Sequence, residues 1–151
     1  MQAFGKQIGA LLTVGDVVVL SGPLGAGKTT FVKGLAEQLD VQGMVTSPTF
    51  VVSRVHKSNG TGLALVHVDA YRLSSQSDLV DLDLDATKNA AYVIEWGKDF
   101  VSRFTENWLE IDIDRAQELN DDLDPASGVR TISVTAVGDR WSNTDLAGLF
   151  A

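Results

Sequence analysis

The sequence predicts an α/β fold in three layers around a mixed, largely parallel central sheet. Three observations carry that expectation. Asp16-Val-Val-Val-Leu-Ser21 is a short β-branched apolar run of the kind a parallel sheet buries on both faces. A glycine-rich loop follows it directly, and Phe31, Val32, Leu35, Ala36 and Leu39 then recur at helical spacing. A polar tract, Lys57-Ser-Asn-Gly-Thr-Gly62, sits between two strand-like runs and reads as a hairpin turn, which adds an antiparallel pair to helix-flanked parallel strands.

Taken in order, Phe4, Ile8, Leu11 and Leu12 predict a short first helix ending before Gly15. A strand at Val17–Leu20, the glycine loop and a helix at Thr29–Leu39 come next. Gly43 to Pro48 reads as a loop, and Thr49–Val55 and Leu63–Val68 as the two hairpin strands. Ser74 to Asn89 is polar with scattered leucines and predicts short helical pieces. Ala90–Glu95 is a further strand, and Asp99 to Phe104 a helical turn or two. Trp108–Ile113 alternates apolar with acidic residues, as a half-exposed strand does, and Val129–Val137 alternates again after an acidic loop, Gln117–Gly128. The tail from Ser142 carries too little pattern to assign. No repeat, linker or boundary interrupts the chain, so its 151 residues are expected to form a single domain, 1–151.

Composition narrows the class. Apolar residues make up 44% and charged residues 21%, values ordinary for a globular protein. No run approaches the roughly 18 apolar residues of a membrane span, and the N-terminus lacks a basic region followed by an apolar stretch. With no cysteine, thiolate metal sites, disulfides and thiol nucleophiles are excluded, and a cytoplasmic location is expected. The net charge of −8 argues against a broad basic face for nucleic acid. The acids cluster at Asp78, Asp81, Asp83 and Asp85, and again at Asp112, Asp114, Glu118, Asp121, Asp122 and Asp124. Solvated loops explain both clusters; a docking surface for a basic partner protein is the sharper reading.

The glycine loop carries the chemistry. Gly22-Pro-Leu-Gly-Ala-Gly-Lys-Thr-Thr30 matches G-x-x-x-x-G-K-[ST] at Gly22, Gly27, Lys28 and Thr29. In that pattern glycines let the backbone curl its N–H groups around an anion. Lys28 then reaches the β- and γ-phosphates and Thr29 offers its hydroxyl to Mg²⁺. Gly22, Pro23, Leu24, Gly25, Ala26, Gly27, Lys28, Thr29 and Thr30 are therefore the candidate phosphate-binding residues. The alternative, a glycine turn that binds nothing, does not explain why strand, loop and helix coincide. The fold expected is that of a P-loop nucleoside triphosphatase.

Such a site also needs a carboxylate near the metal and a group that positions water or an acceptor. Leu65-Val-His-Val-Asp69 and Ala91-Tyr-Val-Ile-Glu95 are apolar strands that each end in an acid. Ligands of open α/β sheets sit beyond the carboxyl ends of the strands, so Asp69 and Glu95 are candidates; a helix cap or a surface acid is the alternative for each. Thr46-Ser-Pro-Thr-Phe50 is either a loop that carries a hydroxyl to the γ-phosphate or a Pro-containing turn into a strand. His67 shares a strand face with Asp69, and it either orients the acid, carries a proton, or is simply packed.

Gly22–Thr30, Thr46-Ser-Pro-Thr-Phe50, His67-Val-Asp-Ala-Tyr-Arg-Leu73 and Glu95-Trp-Gly97 occur in the order and approximate spacing of the TsaE family, which the chain resembles from Gly9 to about Arg130. These are small bacterial ATPases required for threonylcarbamoyladenosine modification of tRNA. The resemblance implies ATP and Mg²⁺ as ligands and weak, Mg²⁺-dependent ATP hydrolysis. By resemblance, Lys28 is the phosphate-binding lysine, Thr29 and Glu95 are the metal ligands, and Asp69 orders the metal's water shell or the attacking water. Trp96 corresponds to a family tryptophan near the nucleotide, and Arg130 to an arginine near the base. Thr46–Thr49 corresponds to the switch-like loop. The implied partners are TsaD and TsaB, with tRNA met only through their complex and no membrane involved. Two positions depart from the pattern. Pro23 stands where the family often has an acid. If Gly5 is the family's first-helix glycine, the usual base-side threonine falls on Met1, so either that contact is missing or the natural start lies upstream.

The main alternative is a P-loop small-molecule kinase. It would need a lid with several arginines, and Arg54, Arg72, Arg103, Arg115, Arg130 and Arg140 are too scattered to form one. A GTPase would need an Asn-Lys-x-Asp base reader, whereas Lys88-Asn89 has the reverse order and no following Asp. A nucleotide-gated binding module without catalysis is the third alternative.

Overall fold

β-branched runs too short and too apolar to be surface strands form the centre of the molecule. The computed structural model describes residues 1–48, 52–73, 87–115 and 128–150. Their six strands are β1 (Val17–Ser21), β2 (Ser53–His56), β3 (Ala64–Asp69), β4 (Ala90–Glu95), β5 (Trp108–Arg115) and β6 (Arg130–Val137). They form one sheet in the order β2-β3-β4-β1-β5-β6. The four central strands are parallel, and β2 and β6 close the two edges antiparallel. The mixed, largely parallel sheet is thus the one expected. Hydropathy follows position. The residues of β4 are buried throughout, as a strand covered on both faces requires, whereas β6 alternates along its length as an edge strand does.

Two α-helices, α1 (Gln2–Gly9) and α2 (Lys28–Leu39), pack on one face of the sheet. Phe31 and Leu35 of α2 and Ile8 of α1 are fully buried there against Val18, Leu65, Val93 and Leu109. Each such side chain contributes about 1.5–3 kcal/mol by leaving water. The two helices approach so closely that a side chain at Gly34 would run into the backbone carbonyl of Gln2. The opposite face carries Val17, Val19, Val66, Val68 and Ile94. Among the described residues it is covered by the 3₁₀ turn Val101–Arg103 and by Leu73, Phe100, Phe104 and Trp108.

Most elements lie where the apolar patterns put them, with shifts at the ends. β1 runs one residue further than expected, to Ser21, and β3 ends on Asp69 itself. Of the strand expected at Thr49–Val55, residues 49–51 lie outside the described residues; β2 is described from Ser53, and Val52 before it adopts a left-handed conformation (φ 66°) with its N–H donated to the Pro48 carbonyl. β-Propensity in a run of threonine and valine does not reveal such a turn. The hairpin at Lys57–Gly62 joins β2 to β3 as expected. The two alternating segments after Trp108 pair with each other along eight residues, from Trp108–Val137 to Arg115–Arg130, an antiparallel edge that their separate patterns did not announce. The helical pieces expected between Ser74 and Asn89 fall almost wholly outside the described residues, as do the first acidic cluster, Glu118, Asp121, Asp122 and Asp124. No helix among the described residues is long and apolar enough to cross a membrane.

Candidate active site

Strand register decides which polar residues meet. β3 and β4 pair with Asp69 opposite Glu95 and His67 opposite Val93. β1 pairs with β4 so that Leu20 lies opposite Glu95. Period-two alternation then turns His67, Asp69 and Glu95 to the face that carries α2. The glycine loop leaves the end of β1 on that same face. At Gly22 (φ 145°) a side chain would strike the carbonyl of Ile113, and Gly27 starts α2 from a left-handed conformation (φ 108°).

These elements enclose a cavity of about 800 Å³. Leu24, Gly25, Gly27, Lys28, Thr29 and Thr30 form one wall, and Ser47, Asp69, Glu95, Trp96, Gly128, Arg130 and Met1 complete it. Lys28, Asp69 and Glu95 are at most 7% exposed, so three charged side chains are buried around one space. Gly22, Pro23 and Ala26 stand behind the wall and contribute backbone carbonyls. Lys28 Nζ donates to Gly22 O at 2.7 Å and to Pro23 O at 3.0 Å, and it lies 4.5 Å from the centre of the Trp96 ring. Burial pushes the Lys28 amine below the ordinary lysine value, while the charges of Glu95 and Asp69 act in the opposite direction.

Trp96 takes up a left-handed backbone (φ 61°), a costly conformation for a bulky residue. Its N–H donates to the Leu20 carbonyl at 2.9 Å, and its ring packs against Tyr71 with centroids 5.2 Å apart. Asp69 Oδ1 accepts the Tyr71 N–H at 2.9 Å, which turns the chain immediately after β3. Arg130 reaches back across the sequence to the glycine loop. Its Nε donates to Ala26 O at 2.8 Å, and its other nitrogens donate to Gly128 O and Gly25 O. Met1 lies on the same side, its side chain against Gly27. Met1 and Arg130 therefore both border Gly27.

His67 is the residue that the sequence left most open. It is fully buried, and its Nε2 lies 2.8 Å from Glu95 Oε2. A lone histidine in an apolar strand carries no signal of its own. Only the diagonal offset between β3 and β4 brings it to Glu95.

The donor set around the cavity is hard: a threonine hydroxyl and two carboxylates. No three His, Cys, Asp or Glu side chains gather into a metal cage among the described residues. Thr29 and Glu95, with Asp69 beside them, fit a cation such as Mg²⁺, which keeps several waters and takes further oxygens from a phosphate chain.

The chain is similar to known proteins. Residues 1–122 match the family "Threonylcarbamoyl adenosine biosynthesis protein TsaE". The chain belongs to the TsaE family. It is 50% identical over 151 residues to the tRNA threonylcarbamoyladenosine biosynthesis protein TsaE of Streptomyces coelicolor, covering 99% of each chain. With the Bacillus subtilis TsaE it shares 37% over 140 residues, or 93% of this chain and 82% of the relative. A crystal structure of YdiB from Bacillus subtilis superposes with a TM-score of 0.68 at 31% identity, over 93% of this chain and 81% of that one. In this TsaE chain Pro23, the departure in the glycine loop, is exposed and presents its carbonyl to Lys28. The substitution thus leaves the lysine's anchoring intact.

Proposed function

We propose that this TsaE-family chain is an Mg²⁺-dependent ATP-binding and ATP-hydrolysing accessory protein, acting in the cytoplasm with TsaD and TsaB in threonylcarbamoyladenosine modification of tRNA. The observation that carries this reading is the convergence of the glycine loop and the ends of β3 and β4 on one cavity, with Lys28, Thr29, Asp69 and Glu95 all on its wall.

Loop N–H groups and the N-terminal end of α2 receive the phosphate chain. Lys28 exchanges its bonds to Gly22 O and Pro23 O for the β- and γ-phosphates, a short movement for a flexible side chain. Its burial favours that exchange, because a partly desolvated ammonium gains most from an anion. Mg²⁺, when bound there, would supply positive charge that offsets the negative charge developing on the leaving group. Thr29 and Glu95 would hold the ion, and Asp69 would order its water shell or the attacking water. Trp96 would lie beside the nucleotide and Arg130 near its base, as the family resemblance implies. The family resemblance supports the partners, and a net charge of −8 suits an accessory protein that docks on proteins rather than on tRNA directly.

The test is ATP turnover by the purified chain with and without Mg²⁺, alone and with TsaD–TsaB, together with co-purification in ATP and in ADP. Slow Mg²⁺-dependent release of phosphate, lost in Lys28→Ala and altered by the partners, is expected. A metabolite panel that yielded a phosphorylated acceptor would replace this reading with a kinase. Binding of ATP with no turnover under any condition would leave only a nucleotide-gated module.

A further inference from the structure

We infer that His67 is a positioning residue that holds Glu95 in its metal-binding orientation. The inference rests on the proposed Mg²⁺–ATP reading of the same cavity. His67 is fully buried, and the side chain of Glu95 is 4% exposed. Their contact, Nε2 to Oε2 at 2.8 Å, is the one polar contact that His67 makes among the described residues, since its Nδ1 has no partner there. A buried imidazole with a single partner is oriented by that partner and orients it in turn. A carboxylate oxygen accepts, so the imidazole Nε2–H donates and fixes Oε2. Oε1 makes no hydrogen bond among the described residues, and Glu95 lines the cavity.

The placement is built by the sheet. His67 lies opposite Val93, two residues before Glu95 on the neighbouring parallel strand. Both residues are thus held by the backbone ladders of two central strands. A glutamate has three rotatable bonds, and a ligand free to swing would have to be ordered each time a metal bound. A donor on a strand removes that freedom beforehand. Hydrogen-bond partners of metal-binding carboxylates commonly set affinity in this way, and losing one weakens metal binding or activity by about 10–100-fold.

Three variants test the assignment: His67→Gln, which keeps an N–H at about the position of Nε2; His67→Asn, whose amide falls about one methylene short; and His67→Leu, which keeps bulk without a donor. Mn²⁺ binding to the ADP-loaded protein is followed by electron paramagnetic resonance. ADP binding without metal and thermal unfolding are measured in parallel. His67→Leu and His67→Asn are expected to bind Mn²⁺ about 10–100-fold more weakly. Metal-free ADP affinity should stay within about twofold, and His67→Gln should lie within a few-fold of the natural chain. Equal Mn²⁺ affinity in all variants would overturn the inference, as would metal-free ADP binding that fell in step with it. If His67→Leu does not fold, the Gln–Asn pair decides: similar metal affinity in the two overturns the inference. If the natural chain binds ADP but no metal, the Mg²⁺ reading falls and this inference falls with it. Normal metal binding by the natural chain with an indifferent His67 overturns the inference alone.

Discussion

The molecule buries charge at both ends of β1, and the two ends are built on opposite principles. At the amino end, Asp16 is held by Arg140 through two parallel bonds, Nε to Oδ1 at 2.9 Å and the terminal nitrogen to Oδ2 at 2.8 Å. The same guanidinium caps the Leu11 carbonyl and lies 4.2 Å from the centre of the buried Trp141 ring. Thr13 donates its backbone N–H to Asp16 as well. At the carboxyl end, Lys28 rests on two neutral carbonyls and an aromatic face, while two carboxylates line a cavity beside it. The first cluster matches charge with charge in bidentate geometry and ties the C-terminal segment to β1. The second leaves a cation on weak acceptors that an anion can displace. Buried charge that is fully matched stabilises a fold; buried charge that is matched provisionally marks a site.

That contrast can be broken most directly at Lys28. Lys28→Met should reduce ATP and ADP affinity by two orders of magnitude or more, about 3 kcal/mol, in a fluorescence titration. It should not lower the thermal stability of the nucleotide-free protein, because a desolvated charge is removed along with its bonds. A clear loss of stability would mean that Lys28 is structural like Arg140. Asp69→Ala comes next: turnover should fall about a hundredfold, roughly 3 kcal/mol of barrier, with ADP affinity changed only a few-fold. Comparable losses in both would move Asp69 from water ordering to nucleotide binding.

Arg140→Ala tests the other end. It should cost about 2 kcal/mol of stability in denaturant unfolding, since Asp16 is left buried while Arg140 itself is partly exposed. Nucleotide affinity should not change. The smallest effect is a pH dependence. The folded state holds the Lys28 amine below its ordinary value, so in the alkaline window between the two values the unfolded chain binds more protons. Stability should therefore rise with pH there, relative to Lys28→Met, and the advantage of the variant should shrink as Lys28 loses its charge. A constant difference across that window would argue against a desolvated ammonium.

Local pattern carried a great deal. The glycine loop, the helix after it and the strands ending in Asp69 and Glu95 are legible because each is encoded within a dozen consecutive residues. A parallel sheet adds the rule that strand ends converge. What could not be read is long-range. Arg130 meets Ala26 across 104 positions and Arg140 meets Asp16 across 124. Resemblance singled out Arg130 but not Arg140, and no spacing rule links either arginine to the residue it meets. The pairing of β5 with β6 was equally silent, because alternation reveals that a strand has two faces but not which strand lies beside it. Val52 shows the reverse: it lies in a run of strand-forming residues, yet its own backbone is left-handed.

By itself, then, the sequence determined the glycine loop, the strand-end acids and the mixed sheet, because periodicity and motif spacing act between near neighbours. Only the tertiary structure decided that His67 meets Glu95, that Arg130 reaches the glycine loop and that Arg140 closes on Asp16. Those contacts depend on strand register and on the path of the chain between distant segments, quantities that no single stretch of residues contains.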